Sequence, residues 1–311
     1  MKVAIVGAGH IGTTVAYTLL TKGLVTEIAL VNRTRDKAYG EALDMSHALA
    51  AGSHSVKIYS GDYRACAGAE VVVVTAGAAT AKGQSRLEVV ERNAAVYREM
   101  IPLIVEHNSD AVILLVTNPV DITTALALRY SGLPPARVFG SGTVLDVQRF
   151  ESLLSGYFNV HPGNVQALIV GEHGDSMVPV WSRVSISSIP LQDFPEYHRQ
   201  EMDDIFDMTR RGAAMVRATK DSTQFATSAS VCRILEAILR DKREVLTVST
   251  LVEEYQGIEG VCLSMPAVVG ANGIERVLKL QLADDERQKL LASAELLRSM
   301  LQSVGDEKAG E

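Results

Sequence analysis

The stretch Lys2–Ala16 reads KVAIVGAGHIGTTVA, and IALVNRTRD follows at Ile28–Asp36. Lys2–Val6 is a β-rich run that stops at a glycine, and Ile11–Leu20 takes up helical spacing. Between them Gly7, Gly9 and Gly12 spell G-x-G-x-x-G. Each glycine has a physical use if a dinucleotide lies there. Gly7 permits a tight turn, Gly9 lets the backbone approach a pyrophosphate, and Gly12 lets helix and strand pack closely. The pattern alone also fits a glycine-rich turn that holds nothing. Its place between a first strand and a first helix favours the dinucleotide. In such a site the second strand, here Glu27–Val31, ends in an acid that bonds the adenosine ribose. This one ends in Asn32, with Arg33 and Arg35 close behind. Asn32 can bond a ribose hydroxyl but carries no charge. The two arginines read either as a clamp for the extra phosphate of NADP or as solvated loop charges.

Outward from that loop, helix-like and strand-like segments alternate. Lys37–Ala50 is a charged-face helix, Val56–Tyr59 a short strand, and Val71–Thr75 a strand apolar on both faces. Ser85–His107 is a long helix, Ala111–Thr117 a buried strand, and Val138–Gly140 a last short one. Such alternation means a parallel sheet covered by helices on both faces. Beyond Gly142 the pattern changes. Val165–Val170 and Val184–Ile189 alternate like half-exposed antiparallel strands, Glu201–Lys220 and Thr227–Asp241 read as helices, and EVLTVSTLV at 244–252 as a strand. Ala283–Val304 is a helix ending in a polar tail. The expected fold is α/β: a doubly wound Rossmann sheet over 1–142, then an α+β substrate domain over 143–311, with a cleft between them.

Bulk properties narrow the function. A chain of 311 residues can bury a sizeable core, and 47% apolar with 22% charged residues is ordinary for a globular protein. A net charge of −7 argues against nucleic acid or an acidic membrane surface as partner. Cys66, Cys232 and Cys262 are scattered, without C-x-x-C or metal-ligand spacing, so no metal is expected. No secretory signal pattern and no apolar run of about 18 residues is present, which leads to an expectation of a cytoplasmic protein.

Several further motifs occur in order: EALDMSHA at 41–48, GQSRLEVVERN at 83–93, TNPVD at 117–121, GTVLDVQRF at 142–150 and GEHGDS at 171–176. With GAGHIG they resemble the lactate/malate dehydrogenase family, from Lys2 to about Met300. The resemblance implies reversible hydride transfer between a nicotinamide and C2 of an L-2-hydroxy acid. It implies His173 as acid/base, Asp146 on its other ring nitrogen, Arg149 on the substrate carboxylate, Arg86 polarising the carbonyl under a closing lid, Asn118 on the substrate oxygen, and Thr223 in the pocket wall. Cofactor contacts are implied for Gly7, Gly9, His10, Ile11, Gly12, Asn32, Arg33, Thr75, Ala76, Gly77, Asn93, Val116 and Asn118. The cofactor implied is NAD, with NADP left open by Asn32, Arg33 and Arg35. A homo-oligomer, dimer or tetramer, is also implied. Residue by residue, blander readings stand: a lone histidine is usually structural, and Asp146 with Arg149 could be an i,i+3 surface ion pair. The conjunction is what favours the site.

Substrate choice in the family is read six residues before Arg86, at Thr80. Malate enzymes carry Arg there and lactate enzymes Gln. A neutral threonine under a closed lid would leave a second carboxylate unpaired, at a cost of several kcal/mol. L-lactate dehydrogenase is therefore expected, with a malate dehydrogenase (through Lys82) or a dehydrogenase of bulkier 2-hydroxy acids as alternatives. Family members activated by fructose 1,6-bisphosphate carry Arg and His where Glu151 and Gln166 stand, so no such activation is expected. An NAD-dependent glycosidase would need a Cys/His metal site, and a silent nucleotide-binding protein would have no need of the acid/base set.

Overall fold

Four consecutive valines, Val71–Val74, form a strand with no exposed surface, which demands cover on both sides of the sheet. The computed structural model describes residues 1–52, 54–78, 86–220 and 222–303, apart from the side chains of Arg86 and Leu87. Up to Gly140 the order is β1 (Lys2–Val6), α1 (His10–Lys22), β2 (Glu27–Val31), α2 (Arg35–Ala48), β3 (Lys57–Gly61), β4 (Val71–Val74), α3 (Arg86–His107), β5 (Val112–Leu115), α4 (Val120–Ser131) and β6 (Val138–Gly140). Then come α5 (Val144–Tyr157), β7 (Val165–Gln166), β8 (Ile169–Val170), β9 (Val178–Pro179), β10 (Ser185–Ile186) and β11 (Ile189–Pro190). The chain finishes with α6 (Arg199–Arg217), α7 (Gln224–Leu239), β12 (Glu244–Val252), β13 (Val261–Gly270), β14 (Gly273–Val277) and α8 (Asp284–Gln302).

The first six strands are parallel in the order β3-β2-β1-β4-β5-β6. Side chains alternate across them. Val3, Ile5, Val71 and Val73 enter one core, and Ala4, Val6, Val72 and Val74 the other. The strand order reverses between β1 and β4, where open α/β sheets form their ligand crevice. This is the doubly wound Rossmann sheet expected from the pattern.

The later strands extend that same sheet. β12 pairs antiparallel with β6, Ser249 opposite Gly140, and β13 and β14 continue it to nine strands. Pro266 lies inside β13, and a proline makes a strand hard to read from pattern alone. Two expected strands are shorter and split. The 165–170 stretch divides into β7 and β8, which belong to different small sheets. The 184–189 stretch folds back as the hairpin β10–β11, with Ser187 and Ser188 at φ 50° and 68°. Two positive φ values in a two-residue loop make the type I′ geometry that usually announces itself as Asn-Gly, so Ser-Ser hid the turn.

A third core packs α5 on α6. Phe150, fully buried, meets Trp181 and Phe206 edge-on at 5.2 and 5.7 Å between ring centres. That packing fixes the rotation of α5 and so the direction of its polar residues. Among the described residues no helix is long and apolar enough to cross a membrane.

Candidate active site

Two acids, one histidine and one arginine meet at the carboxyl end of the sheet. α5 carries Asp146 and Arg149 one turn apart, and their side chains bond to each other, Arg149 Nη1 donating to Asp146 Oδ1 at 3.0 Å. Asp146 is 1% exposed. Its second oxygen takes the ring of His173, Nδ1 to Oδ2 at 2.5 Å, from a loop 27 residues further on. The ring nitrogen left over is Nε2. The backbone N–H of His173 donates to Asp121 Oδ2 at 2.8 Å, and Asp121 Oδ1 accepts from Ser249 Oγ at 2.6 Å. Asp121 comes from α4 and Ser249 from β12, so four separate segments hold one imidazole.

Charge follows from that packing. Burial draws the His173 ring toward neutrality, but Asp146, by charge and hydrogen bond, outweighs it with help from Asp121, and the ring sits above its ordinary 6.5. For Asp121 the balance falls the other way, although His173 lies beside it. Burial pushes its carboxyl up to about 6, against the bonds from Ser249 and His173 that favour the charged form. A carboxyl whose folded value exceeds its unfolded one of 3.8 holds its proton more tightly in the fold, so its contribution to stability falls as pH rises from about 4 to about 6. Asp121→Asn should remove that loss, on the order of 3 kcal/mol for a shift of roughly two units. Urea unfolding of both proteins at about pH 4 and about pH 7 checks it: the variant should gain on the parent as pH rises, and equal slopes would refute the assignment.

His173, Asp146 and Arg149 line a cavity of about 570 Å³ together with Asn118 and Thr223. Ile11 and Val116 reach the same cavity from the glycine-loop side. Of the expected residues deeper in the nucleotide half, Thr75 Oγ1 donates to the carbonyl of Gly7 at 2.8 Å, and the carbonyl of Ala76 accepts from Thr117 Oγ1 at 2.8 Å. Asn93 is fully buried; its carboxamide accepts from Ala78 N at 2.7 Å and donates to the carbonyl of Asn118 at 3.2 Å. It is a strut that ties the loops around Gly77 and Asn118 together. Arg86 is the first residue of α3, its side chain beyond the described set. Thr80 and Lys82 lie outside the described residues.

Sequence reading missed three contributors. Asp121 was visible in TNPVD, yet only the fold brings it under His173. Gly212 on α6 faces Arg149: a Cβ there would meet Arg149 Cδ at 3.2 Å, so the glycine leaves the guanidinium its room. Arg217, at the end of α6, lines the cavity and has no ion-pair partner among the described residues. An amphipathic helix shows which face is apolar and gives no sign of which polar residue borders a distant pocket.

Residues 1–140 match the family model described as the lactate/malate dehydrogenase NAD-binding domain, and residues 143–308 that of the lactate/malate dehydrogenase alpha/beta C-terminal domain. The chain belongs to the lactate/malate dehydrogenase family. It is similar to the L-lactate dehydrogenase of Acetivibrio thermocellus, 42% identical over 308 residues and 97% of each chain. It is 41% identical to that of Synechococcus sp., over 98% of this chain and 99% of the other. Among solved structures, the minor L-lactate dehydrogenase of Enterococcus mundtii superimposes with a TM-score of 0.95 at 33% identity, over 98% and 99% of the two chains. A lactate dehydrogenase from a Medee basin deep-sea metagenome library gives 0.94, also at 33%, over 97% and 98%.

In this lactate/malate dehydrogenase family chain the glycine loop fits the pyrophosphate of NAD. A Cβ on Gly7 would press on Thr75 and on the backbone of Ala76, and one on Gly12 would strike the carbonyl of Gly7. A Cβ on Gly9 would meet nothing within 4 Å. The two outer glycines therefore serve close packing, and the middle one leaves the backbone open at the start of α1, where N–H groups favour phosphate.

Proposed function

We propose that this chain works as an NAD-dependent L-lactate dehydrogenase, interconverting pyruvate, NADH and a proton with L-lactate and NAD. The observation that carries the reading is the Asp146–His173 pair, with Arg149, in the wall of one cavity that also reaches Ile11 of the nucleotide half. When bound, the nicotinamide supplies or accepts the hydride at C2 of the substrate. The chain's own residues do the rest. Arg149 holds the substrate carboxylate with its planar fork. Asn118 donates to the oxygen on C2, and Arg86 does so from the start of α3. His173 gives its Nε2 proton to that oxygen during reduction and recovers it during oxidation. Asp146 fixes the tautomer and keeps the ring cationic until the proton leaves.

The division into a nucleotide-binding part, 1–142, and a substrate part, 143–311, is part of the proposal, as are a cytoplasmic location and a homo-oligomeric state. So is the absence of control by fructose 1,6-bisphosphate. Glu151 is half-buried, accepts the N–H of Ala167, and burial pushes its carboxyl up to about 7. Gln166 offers a neutral amide that accepts from Ser185. Neither supplies a cation to a bisphosphate. A second reading, a dicarboxylic 2-oxo acid, has one observation behind it: Arg217 lines the cavity without an ion-pair partner among the described residues.

One steady-state comparison tests these points together. The purified protein is assayed with NADH and either pyruvate or oxaloacetate, with and without fructose 1,6-bisphosphate. Pyruvate is expected to lead in kcat/KM by at least tenfold, the range one unpaired buried charge produces. The sugar phosphate is expected to leave its KM unchanged. Preference for oxaloacetate, lost in Arg217→Leu, would establish the second reading instead.

A further inference from the structure

We infer that the adenosine end of the nucleotide site accepts a 2′-phosphate, so that this chain binds NADPH no more weakly than NADH. The inference rests on the dinucleotide reading of the glycine loop and concerns the far end of the same site.

The geometry begins at the end of β2. The N–H of Gly7 donates to the carbonyl of Val31 at 2.8 Å, which sets the next residue, Asn32, against the glycine loop. Asn32 Oδ1 accepts the N–H of Ala8 at 3.2 Å, and its Nδ2 donates to the carbonyl of Thr34 at 3.1 Å. A side chain at this place reads the ribose hydroxyls. A carboxylate would accept from both hydroxyls and repel a phosphate. Asn32 accepts without repelling. The turn is also built for the amide: an aspartate in the same pose would set an oxygen against the Thr34 carbonyl oxygen, where Asn32 has a donor.

The cations beyond Asn32 are left over for a ligand. Arg33 is exposed and has no ion-pair partner among the described residues. The side chain of Arg35 is 79% exposed, and its nearest acid, Asp62, is 4.0 Å away. Asp62 is already taken: Arg64 grips it through Nε at 3.1 Å and Nη2 at 2.6 Å and holds its carboxyl down to about 2. The hydroxyl of Thr34 is not spent on capping α2. A neutral reader, the unpaired guanidinium of Arg33, the weakly held one of Arg35 and a hydroxyl not used for capping stand beside the ribose edge. A doubly charged phosphate ester is the ligand group that uses all of them, since guanidinium and phosphate match in shape and charge.

Equilibrium binding by calorimetry, at low and at high salt, is the test, because it needs no turnover. The probes are NADPH, NADH, and the two fragments 2′,5′-ADP and 5′-ADP, which lack the nicotinamide and do not depend on the catalytic cavity. NADPH is expected to match or exceed NADH, and 2′,5′-ADP to bind about tenfold or more tighter than 5′-ADP, with the advantage shrinking in salt. Arg35→Ala, at a residue outside the contacts implied for NAD, should remove about tenfold from NADPH and leave NADH within threefold, which also shows that the variant is folded. Asn32→Asp should reverse the preference. NADPH ten times weaker than NADH, with no gain for 2′,5′-ADP, would overturn the inference and leave the dinucleotide site standing. Failure of NADH as well as NADPH to bind would overturn both.

Discussion

Replacing Asp146 by asparagine is expected to lower kcat/KM for pyruvate by about 10²–10⁴-fold and to move its pH profile toward acid. Two effects combine. The carboxylate at 2.5 Å from Nδ1 sets which nitrogen carries the transferable proton, and an amide can present the wrong partner there. The same carboxylate is the main group holding the ring above 6.5 against burial; once it is gone, burial and the Arg149 charge outweigh the smaller help from Asp121, and the ring loses its proton at lower pH. The sign is fixed by the reaction. Reduction consumes the imidazolium, so pyruvate kcat/KM is level below the His173 value and falls above it. Lactate oxidation needs the neutral ring and runs the opposite way. In the asparagine variant the fall with pyruvate should start at lower pH. His173→Gln should lose as much activity and show no such limb at all. NADH binding within threefold of the parent shows that each variant is folded. An unchanged pH profile in Asp146→Asn would mean that Asp146 does not govern the proton.

Arg149 carries the second large effect. Arg149→Met should raise KM for pyruvate about 10²–10³-fold, since the substrate carboxylate would enter a desolvated site without its cation. Arg149→Lys should recover only part of this, because an ammonium cannot offer two parallel donors to one carboxylate. Gly212→Ala is a finer probe. It leaves the charge in place and crowds Cδ at 3.2 Å, so KM should rise by a smaller factor with kcat little changed. If pyruvate KM stays within threefold in Arg149→Met, the guanidinium serves only as the ion-pair partner of Asp146.

Both experiments concern residues whose spacing was visible beforehand, and the reason is local. The i,i+3 spacing of Asp146 and Arg149 places them on one face of any helix. G-x-G-x-x-G between a strand and a helix specifies its own turn. Val71–Val74 can only be a strand buried on both faces. Fold class and the nucleotide loop were therefore legible from Lys2 onward, since each depends on residues within a few positions of one another. Where local chemistry was atypical, legibility failed locally too. Ser187-Ser188 makes a turn that its composition does not advertise, and Pro266 hides a strand inside the sheet.

What the sequence by itself determined is the alternation that builds the parallel sheet, the glycine loop at the carboxyl end of its first strand, and a set of polar residues whose chemistry suits proton transfer beside a dinucleotide. Tertiary structure alone decided which of them meet. Asp121, His173 and Ser249 come from three segments and join only because β12 pairs with β6 and carries Ser249 under α4. Arg217 borders the cavity because α6 packs on α5 through Phe150, and Arg35 is only weakly paired because Arg64 holds Asp62 more closely, at 2.6 against 4.0 Å. Hydrophobic periodicity sets the direction of a side chain on its own element, whereas a polar contact between elements depends on their mutual packing, which no spacing along the chain encodes.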